Sequence, residues 1–445
     1  MRMNKFLLFL LVSIMIIACG KKDKVEEKPP GIVLWLPFGN KRAQDIIVEG
    51  VNEFKERTGH SVTIAKVPWG EIRTKLRLVA GTDNSPNVVF MIGIDMPIVS
   101  AAMGHLRDLR EFIEKDNFPI QDYCKLGWQY GAIGDAVYSA PYFVEVRCLY
   151  YRKDLFEEKG VETPRPDWTW EDLLEVAKKL TDKEKGIYGF PIVGDPQDGI
   201  FFYWIPILYA YGGDFYDKDY THSVFNEPPA VESMRLYTRF IGEGAAPKES
   251  IGYNIIDVRN LFKAGKSAML LDAPFMMRDL RQSAPQLSGK WEAAFPPGVI
   301  VNGKFKRAVF CGGVTLTIFK STEEEDQIAW ELIKFFLSKE QQINWYKLEI
   351  HLPSNIKSIE GVEWANPEDS QRVQNLFKPM IEDGIPELKV VFDRFVGYEL
   401  ISNTLQNIIL NNLDVQKAMD ELAEQYNDLL ETAIYVPGRN REVKK

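Results

Sequence analysis

The chain has 445 residues, and this length favours two domains, because one hydrophobic core rarely extends beyond about 300 residues. Hydrophobic residues make up 45% of the chain and charged residues 26%, which is ordinary for a soluble globular protein. The formal net charge of −9 argues against a nucleic-acid partner, which would require a basic surface.

The first 30 residues have the features of an export and anchoring segment. Arg2 and Lys5 precede an apolar run, residues 6–18, that is too short to span a membrane but suits the core of a secretory signal. The run leads into the letters IIAC, which resemble a bacterial lipobox, so we expect cleavage before Cys19 and a lipid attached to it. A plain signal peptide with an incidental Cys19 is the alternative. Residues 19–30 are charged and end in two prolines, which predicts a solvated tether to the membrane surface.

Residues 31 to 116 alternate between strand-like apolar runs and amphipathic helical runs, in the order β-α-β-α-β-α. This pattern predicts a parallel sheet covered by helices on both sides, with ligands at the carboxyl ends of the strands. Aromatic rings beside hydrogen-bonding groups occur at those ends, and such a set suits a sugar. The candidates there are Trp35, Phe38, Asn40, Trp69, Glu71 and Asp95.

The stretch from Ser139 to Phe156, SAPYFVEVRCLYYRKDLF, has the aromatic and β-branched composition of a buried strand. Glu145 and Arg147 lie two residues apart in it, so both side chains leave the same face of an extended strand. Charges in an otherwise buried strand require a reason. We interpret the stretch as a passage between two lobes, with Glu145 facing the cleft between them.

A second α/β pattern follows this passage. Residues 167–181 predict an amphipathic helix capped by Thr169, and residues 201–215 predict a helix rich in aromatic side chains. Residues 321–348 predict a long helical stretch that begins at Ser321 and has acidic residues in its first turn. The last ninety residues are mostly helical in pattern.

The cysteines and histidines form no recognisable site. Cys124, Cys148 and Cys311 match no metal or redox spacing, and buried free thiols are favoured over a disulfide between two of them. The histidines are scattered and are interpreted as surface or core residues. They are His60, His105, His222 and His351. No P-loop, zinc helix motif or nucleophile elbow occurs, and neither a cofactor nor a metal is expected.

Five segments, taken in chain order, carry a resemblance over most of residues 31–435. They read FKERTGHSVTIAKVPWGEIRTKLRLVAGTDNSPNVVFM, APYFVEVRCLYYRKDLFEEKGVETPRPDWTWEDLLEVAKKLT, YAYGGDF, FKAGKSAMLLDAPFMMRDL and CGGVTLTIFKSTEEEDQIAWELIKFFLSKEQQ. Together they resemble the extracellular solute-binding lipoproteins of ABC sugar importers, the family that includes maltose-binding protein. The resemblance implies an α/β fold of two lobes, each a mixed or mostly parallel sheet flanked by helices, with three crossovers at a hinge.

The resemblance also implies where the lobes divide. The three crossings are expected near residues 143–147, 307–311 and 351–355. The first lobe would contain residues 31–143 and 311–351, and the second lobe residues 147–307 and 355–440. The signal peptide, residues 1–18, and the tether, residues 19–30, would precede both.

Site residues carried over from the resemblance come from both lobes. Glu145 lies where maltose-type relatives place a cleft carboxylate, and Phe275 and Tyr398 lie near positions of stacking rings. A third ring position falls within the cluster from Phe201 to Trp204. Asp272, Gly312 and Gly313 are expected to line the same region. Arg147 departs from the family pattern, and it either binds an acidic sugar or neutralises Glu145.

The resemblance implies a binding protein and not an enzyme. A sugar or oligosaccharide would bind in the cleft, the lobes would close around it, and the loaded form would dock on the transmembrane subunits of an ABC permease. We expect an exported monomer, anchored through Cys19 on the periplasmic or outer-surface side of a membrane. One alternative keeps the fold but binds a glycerol-phosphate ester, a polyamine or a peptide. The other is a secreted glycoside hydrolase, which would also carry aromatic residues and carboxylates.

Overall fold

The computed structural model describes residues 31–93, 95–195, 198–349, 351–359, 367–382, 384–385 and 394–437. The predicted signal peptide, Cys19 and the tether lie outside the described residues. Over the described ranges, no helix combines the length and the apolar character that crossing a membrane requires.

The described chain forms fourteen strands and seventeen α-helices. The strands are β1 Ile32–Leu36, β2 Val62–Lys66, β3 Val88–Ile92, β4 Ala132–Ile133, β5 Ala136–Val137, β6 Ala140–Val146, β7 Cys148–Arg152, β8 Met269–Asp272, β9 Trp291–Ala294, β10 Val299–Val301, β11 Lys304–Lys306, β12 Val309–Ile318, β13 Leu352–Pro353 and β14 Gly384–Ile385. The helices are α1 Lys41–Thr58, α2 Trp69–Val79, α3 Asp95–Ala102, α4 Arg110–Lys115, α5 Lys125–Gln129, α6 Lys153–Lys159, α7 Trp170–Leu180, α8 Asp198–Tyr211, α9 Pro228–Gly242, α10 Ile255–Lys263, α11 Met276–Ser283, α12 Glu323–Leu337, α13 Lys339–Glu349, α14 Pro367–Arg372, α15 Lys378–Glu382, α16 Arg394–Asn411 and α17 Val415–Thr432.

The first lobe is built on one mixed sheet with the strand order β13-β6-β12-β3-β1-β2. Strands β2, β1 and β3 are parallel, as the alternating pattern predicts, because a helix returns the chain after each of them. Strand β12 runs antiparallel to β3 and to β6, and β13 runs antiparallel to β6. The parallel strands therefore end at one edge of the sheet, where the loops to α1, α2 and α3 begin.

The second lobe contains a three-stranded sheet with the order β8-β7-β9. Strand β7 runs antiparallel to both neighbours, which differs in detail from the mostly parallel sheet expected here. The reason is the direction of entry, since β7 follows β6 directly out of the first lobe, whereas β8 and β9 run back toward it. Asp272, the last residue of β8, pairs with Cys148, the first of β7, so this end of the sheet faces the first lobe.

The N-terminal caps of two predicted helices lie at or next to the expected residue, whereas the aromatic helix expected over residues 201–215 is Asp198–Tyr211. Thr169 caps α7 in a capping box with Asp172, as predicted. Helix α12 is capped by Thr322 in place of Ser321, whose hydroxyl instead donates to Asp326. The long helical stretch predicted over residues 321–348 divides into α12 and α13. The three cysteines of the described chain are buried and free, as the sequence favours.

Candidate ligand-binding cleft

A cavity of about 190 Å³ lies where the two lobes meet. The first lobe contributes the strand ends and the helix starts, and α8 of the second lobe contributes one ring. The lining residues are Phe38, Trp69, Ile92, Gly93, Phe143, Glu145, Phe202, Phe310, Gly312, Gly313, Val314 and His351. Five of them are aromatic rings from Phe or Trp, and Glu145 and His351 supply the ionisable groups.

The rings of the cavity wall hold each other in place. Phe38 meets Trp69 edge to face, with ring centroids 5.6 Å apart. Phe202 meets Phe310 with centroids 5.0 Å apart, so a ring from the second lobe contacts a ring at the start of β12. Each such pair stabilises the fold by about 0.5–1.5 kcal/mol beyond the contribution of its buried area. The aromatic wall is therefore pre-formed for an apolar ligand surface.

Two glycines on the β12 side of the cavity have neighbouring atoms very close to where a side chain would begin. A Cβ atom at Gly313 would lie 2.3 Å from the carbonyl oxygen of Phe143, and one at Gly312 would lie 2.8 Å from the ring of Phe310. These distances are below any normal contact of a carbon atom. The sequence singled out both glycines, and the structure places both at the cavity.

Glu145 is held as an anion at the cavity wall. Its Oε1 lies 2.7 Å from Nδ1 of His351, an ion-pair contact off the line of an ideal hydrogen bond, and its Oε2 lies 3.7 Å from Arg147. Burial opposes ionisation, but the contact with His351 and the charges of Arg147 and Arg259 outweigh it. The pKa of Glu145 therefore falls from 4.5 to about 2.

A buried ionic network lies beside this carboxylate. Asp272 is completely buried, and its Oδ1 accepts from Nη1 of Arg147 at 2.8 Å. Arg259 binds the same carboxylate through two nitrogens, at 2.5 and 2.8 Å. Burial lowers the pKa of Arg259, but the charge of Asp272 more than compensates and raises it. Buried charges persist only when paired in this way.

Aromatic faces cover both arginines. The guanidinium of Arg147 lies 4.3 Å from the ring centre of Phe202, and that of Arg259 lies 4.8 Å from the ring centre of Phe275. Phe275 also stands 5.4 Å from the ring of His351, which in turn stacks on Phe143 at 4.5 Å. The residues of the cavity wall are therefore contacted from behind by Phe275, Asp272 and Arg147, which do not themselves line the cavity.

Four of the candidates from the first lobe have structural contacts of their own. Trp35 is buried in the core, because it lies within β1, whereas the cavity ring Phe38 lies beyond the strand end. Asn40 accepts from the backbone of α1 as its N-cap. Glu71 is exposed and pairs with a lysine one turn along α2 at 2.9 Å. Asp95 pairs with Arg73 at 2.9 Å.

Two aromatic candidates of the second lobe belong to its core. Trp204 is completely buried, and its Nε1 donates to Ser233 at 3.1 Å. Phe202 lines the cavity instead, since two residues along a helix turn a side chain by about 200°. Tyr398 is 6% exposed and packs on Phe201, with ring centroids 5.3 Å apart.

Sequence reasoning did not single out six of the lining positions. They are Ile92, Gly93, Phe143, Phe310, Val314 and His351. His351 in particular was interpreted as a surface or core histidine. A signal was present, because Phe143, Phe310 and His351 each lie in one of the three predicted crossings, and any residue at a crossing lies close to the cleft.

Comparisons with known proteins identify the family of this chain. The family model described as bacterial extracellular solute-binding protein matches residues 40–343. A protein of Brucella abortus named a binding protein is 26% identical over 392 residues, which cover 84% of this chain and 87% of the relative. The galactooligosaccharide-binding protein of Bacillus subtilis is 24% identical over 433 residues, covering 94% and 95% of the two chains.

Solved structures show the same fold. An ABC transporter solute-binding protein from Thermotoga lettingae, crystallised with α-D-tagatose, superposes with a TM-score of 0.75 at 22% identity, covering 90% of this chain and 99% of that one. The α/β fold of two lobes expected from the sequence is thereby confirmed. The chain belongs to the family of bacterial extracellular solute-binding proteins.

Proposed function

We propose that this protein is the substrate-binding component of an ABC importer and captures a sugar in the cleft between its lobes. The observation that carries the proposal is the cavity itself, in which five rings face a carboxylate and an imidazole. Ring faces pack on the C–H surfaces of a sugar, and the polar groups bind its hydroxyls. The names of the Bacillus and Thermotoga proteins support a sugar or a related polyhydroxy ligand.

The cavity favours a short ligand at this position. Its volume of about 190 Å³ is below the 300–1,000 Å³ of pockets that enclose drug-sized molecules. One sugar ring fits such a space, and further rings of an oligosaccharide would extend into the open part of the cleft. The name of the Bacillus relative makes galactose and disaccharides that contain it suitable first probes.

Capture would proceed by closure of the lobes without covalent chemistry. Phe202 belongs to the second lobe, whereas Trp69 and Gly313 belong to the first and Glu145 lies at the first predicted crossing. A ligand that touches both sets binds the closed form better and shifts the equilibrium toward it by that difference in affinity. We place the bending points at the predicted crossings, near residues 143–147, 307–311 and 351–355.

We further propose that the exported protein is a lipid-anchored monomer. The basis is the lipobox-like sequence before Cys19 and the polar tether of residues 19–30. A permease would then meet the loaded protein at the membrane surface. Incorporation of a labelled fatty acid into the wild-type protein, and its loss in a Cys19→Ser variant, tests the anchor.

The ionisation of Glu145 disfavours a glycoside hydrolase. Such enzymes use two carboxyl groups about 5–9.5 Å apart, one of which must keep its proton near neutral pH. Within the described residues, Glu145 is the one carboxyl group that lines the cavity, and its pKa is about 2. It therefore accepts hydrogen bonds and is a poor proton donor.

Isothermal titration calorimetry with neutral mono- and disaccharides tests the proposal. We expect binding of at least one of them, loss of tenfold or more in Glu145→Ala, and no released products after prolonged incubation with oligosaccharides. Glu71→Ala is the matched control, because Glu71 is exposed and outside the cavity. Equal affinities for the two variants would contradict the site, and cleavage products would contradict a pure binding function.

A further inference from the structure

We infer that the cleft selects uncharged sugars and discriminates against their acidic counterparts and against polyamines, because Arg147 and Arg259 are occupied as internal counter-ions. This inference rests on the proposed sugar-binding function and specifies the substrate class. It also decides between the two roles that the sequence left open for Arg147, which are recognition of an acidic ligand and neutralisation of Glu145.

Within the part of the chain that the structure describes, the cavity wall presents no lysine or arginine to an anionic ligand. Among its lining residues in the described chain, Glu145 and His351 are the ionisable ones. His351 lies 2.7 Å from Glu145, and either the neutral Nδ1–H form or the imidazolium can make this contact. Any positive charge on His351 is therefore shared with Glu145 before a ligand arrives.

Each of the two arginines is paired with a carboxylate of the protein. Arg147 contacts Asp272 at 2.8 Å and Glu145 at 3.7 Å, and Arg259 binds both oxygens of Asp272. The Nε of Arg147 has no partner, but it is closed off from solvent, so a ligand in the cavity cannot reach it. Phe202 and Phe275 cover the guanidinium faces at 4.3 and 4.8 Å.

The charges of this network balance. Two carboxylates, Glu145 and Asp272, face two guanidiniums, Arg147 and Arg259, so the group is neutral apart from His351. A ligand carboxylate or phosphate would lose its hydration and stand beside the Glu145 anion without a cation to bind. An ammonium group would lose its hydration beside a carboxylate whose charge Arg147 already balances. A hydroxyl group avoids both penalties, because it needs only a hydrogen-bond acceptor.

Matched ligand pairs test the inference by calorimetry at pH 8. The probes are D-galactose with D-galacturonate, D-glucose with D-glucuronate, and galactobiose with digalacturonate, together with glycerol 3-phosphate and spermidine. We expect a neutral member to bind at least 30-fold more tightly than its acid, and neither glycerol 3-phosphate nor spermidine to compete. An acid within threefold of its neutral counterpart, or tighter, overturns the inference and leaves sugar capture intact. Absence of binding by every sugar and every acid overturns the proposed function as well.

Two variants test whether the network is the cause. In Glu145→Gln the anion at the wall is removed without a change of shape, and the preference for the neutral member should fall at least tenfold. In Asp272→Asn the two arginines lose their shared carboxylate, and the preference for the neutral ligand should again fall. This variant should also melt at a lower temperature than the wild type. The ratio of the affinities for the neutral and the acidic ligand depends only on the folded fraction of the protein that binds both. A loss of stability therefore cannot by itself change this ratio.

Glu71→Gln is the matched control, since it removes an equal charge from an exposed helix position. Its ratio of neutral to acidic affinity should equal that of the wild type. Wild-type ratios in both Glu145→Gln and Asp272→Asn would overturn the inference, and so would a change in Glu71→Gln as large as theirs.

Discussion

Replacing Phe202 with alanine removes the ring that the second lobe contributes to the cavity. The side chain of Phe202 is partly buried, and a ligand in the cavity would cover much of its exposed part. Complete burial of a phenylalanine contributes about 1.5–3 kcal/mol, so covering the exposed part contributes up to about 1 kcal/mol. The ring also covers the guanidinium group of Arg147 at 4.3 Å. A contact of this kind contributes about 0.5–2 kcal/mol, and closure of the lobes would strengthen it in part.

The expected effect of Phe202→Ala on binding is therefore about 1–2 kcal/mol, or roughly a 5- to 30-fold rise in Kd. Calorimetry with the neutral sugar that binds best measures it, and thermal unfolding shows how much stability is lost. Trp204→Phe is the control on the same helix, because Trp204 is buried and donates to Ser233 away from the cavity. It should lose about 1–3 kcal/mol of stability and keep its affinity within threefold. An unchanged Kd for Phe202→Ala would refute the assignment of Phe202 to the binding site. Equal losses of affinity in Phe202→Ala and Trp204→Phe would also refute it.

Two further predictions concern Glu145 and Gly313. The pKa of Glu145 is lowered from 4.5 to about 2, so its charge stabilises the fold by on the order of 3 kcal/mol above pH 4.5, and this stabilisation is lost as the pH falls toward 2. We expect the free energy of unfolding, measured with denaturant at pH 7, 4 and 3, to fall less steeply with decreasing pH in Glu145→Gln than in the wild type. An equal pH dependence in the two proteins would contradict the lowered pKa of Glu145. Gly313→Ala should lower the free energy of unfolding by more than about 2 kcal/mol, because its Cβ would lie 2.3 Å from the Phe143 carbonyl oxygen. Gly70→Ala is the control, since Gly70 lies in open space on α2, and it should raise the free energy of unfolding by up to about 1 kcal/mol. A Gly313→Ala midpoint equal to that of the wild type would contradict the close approach of β6 and β12.

The local architecture was predictable because it depends on short-range regularities. The alternation of apolar strands and amphipathic helices over residues 31–116 indicates the parallel part of the first sheet, and the cap at Thr169 is visible as a residue pair three positions apart. Glycine at positions 312 and 313 was also identified. The antiparallel sheet of the second lobe was not, since strand direction depends on where the chain enters the lobe.

The candidate residues from the sequence divide between the cavity wall and the rest of the fold. Trp69 and Glu145 line the cavity, whereas Trp35 and Trp204 lie in cores. Composition does not distinguish these tryptophans, because the same ring is favourable on a cavity wall and in a core. The orientation of the strand or helix decides which of two nearby rings faces the cleft, and two residues along α8 are enough to exchange Phe202 for Trp204.

By itself, the sequence determined the class of the fold and the presence of a charged pair, Glu145 and Arg147, in an otherwise apolar stretch. The tertiary structure decided what that pair does. Asp272 and Arg259 are more than 100 residues away along the chain, and only the pairing of β7 with β8 brings them beside Arg147. His351 reaches Glu145 only because β13 pairs with β6. The electrostatic state of a buried carboxylate is set by such long-range neighbours, and these cannot be identified from the local pattern of the strand.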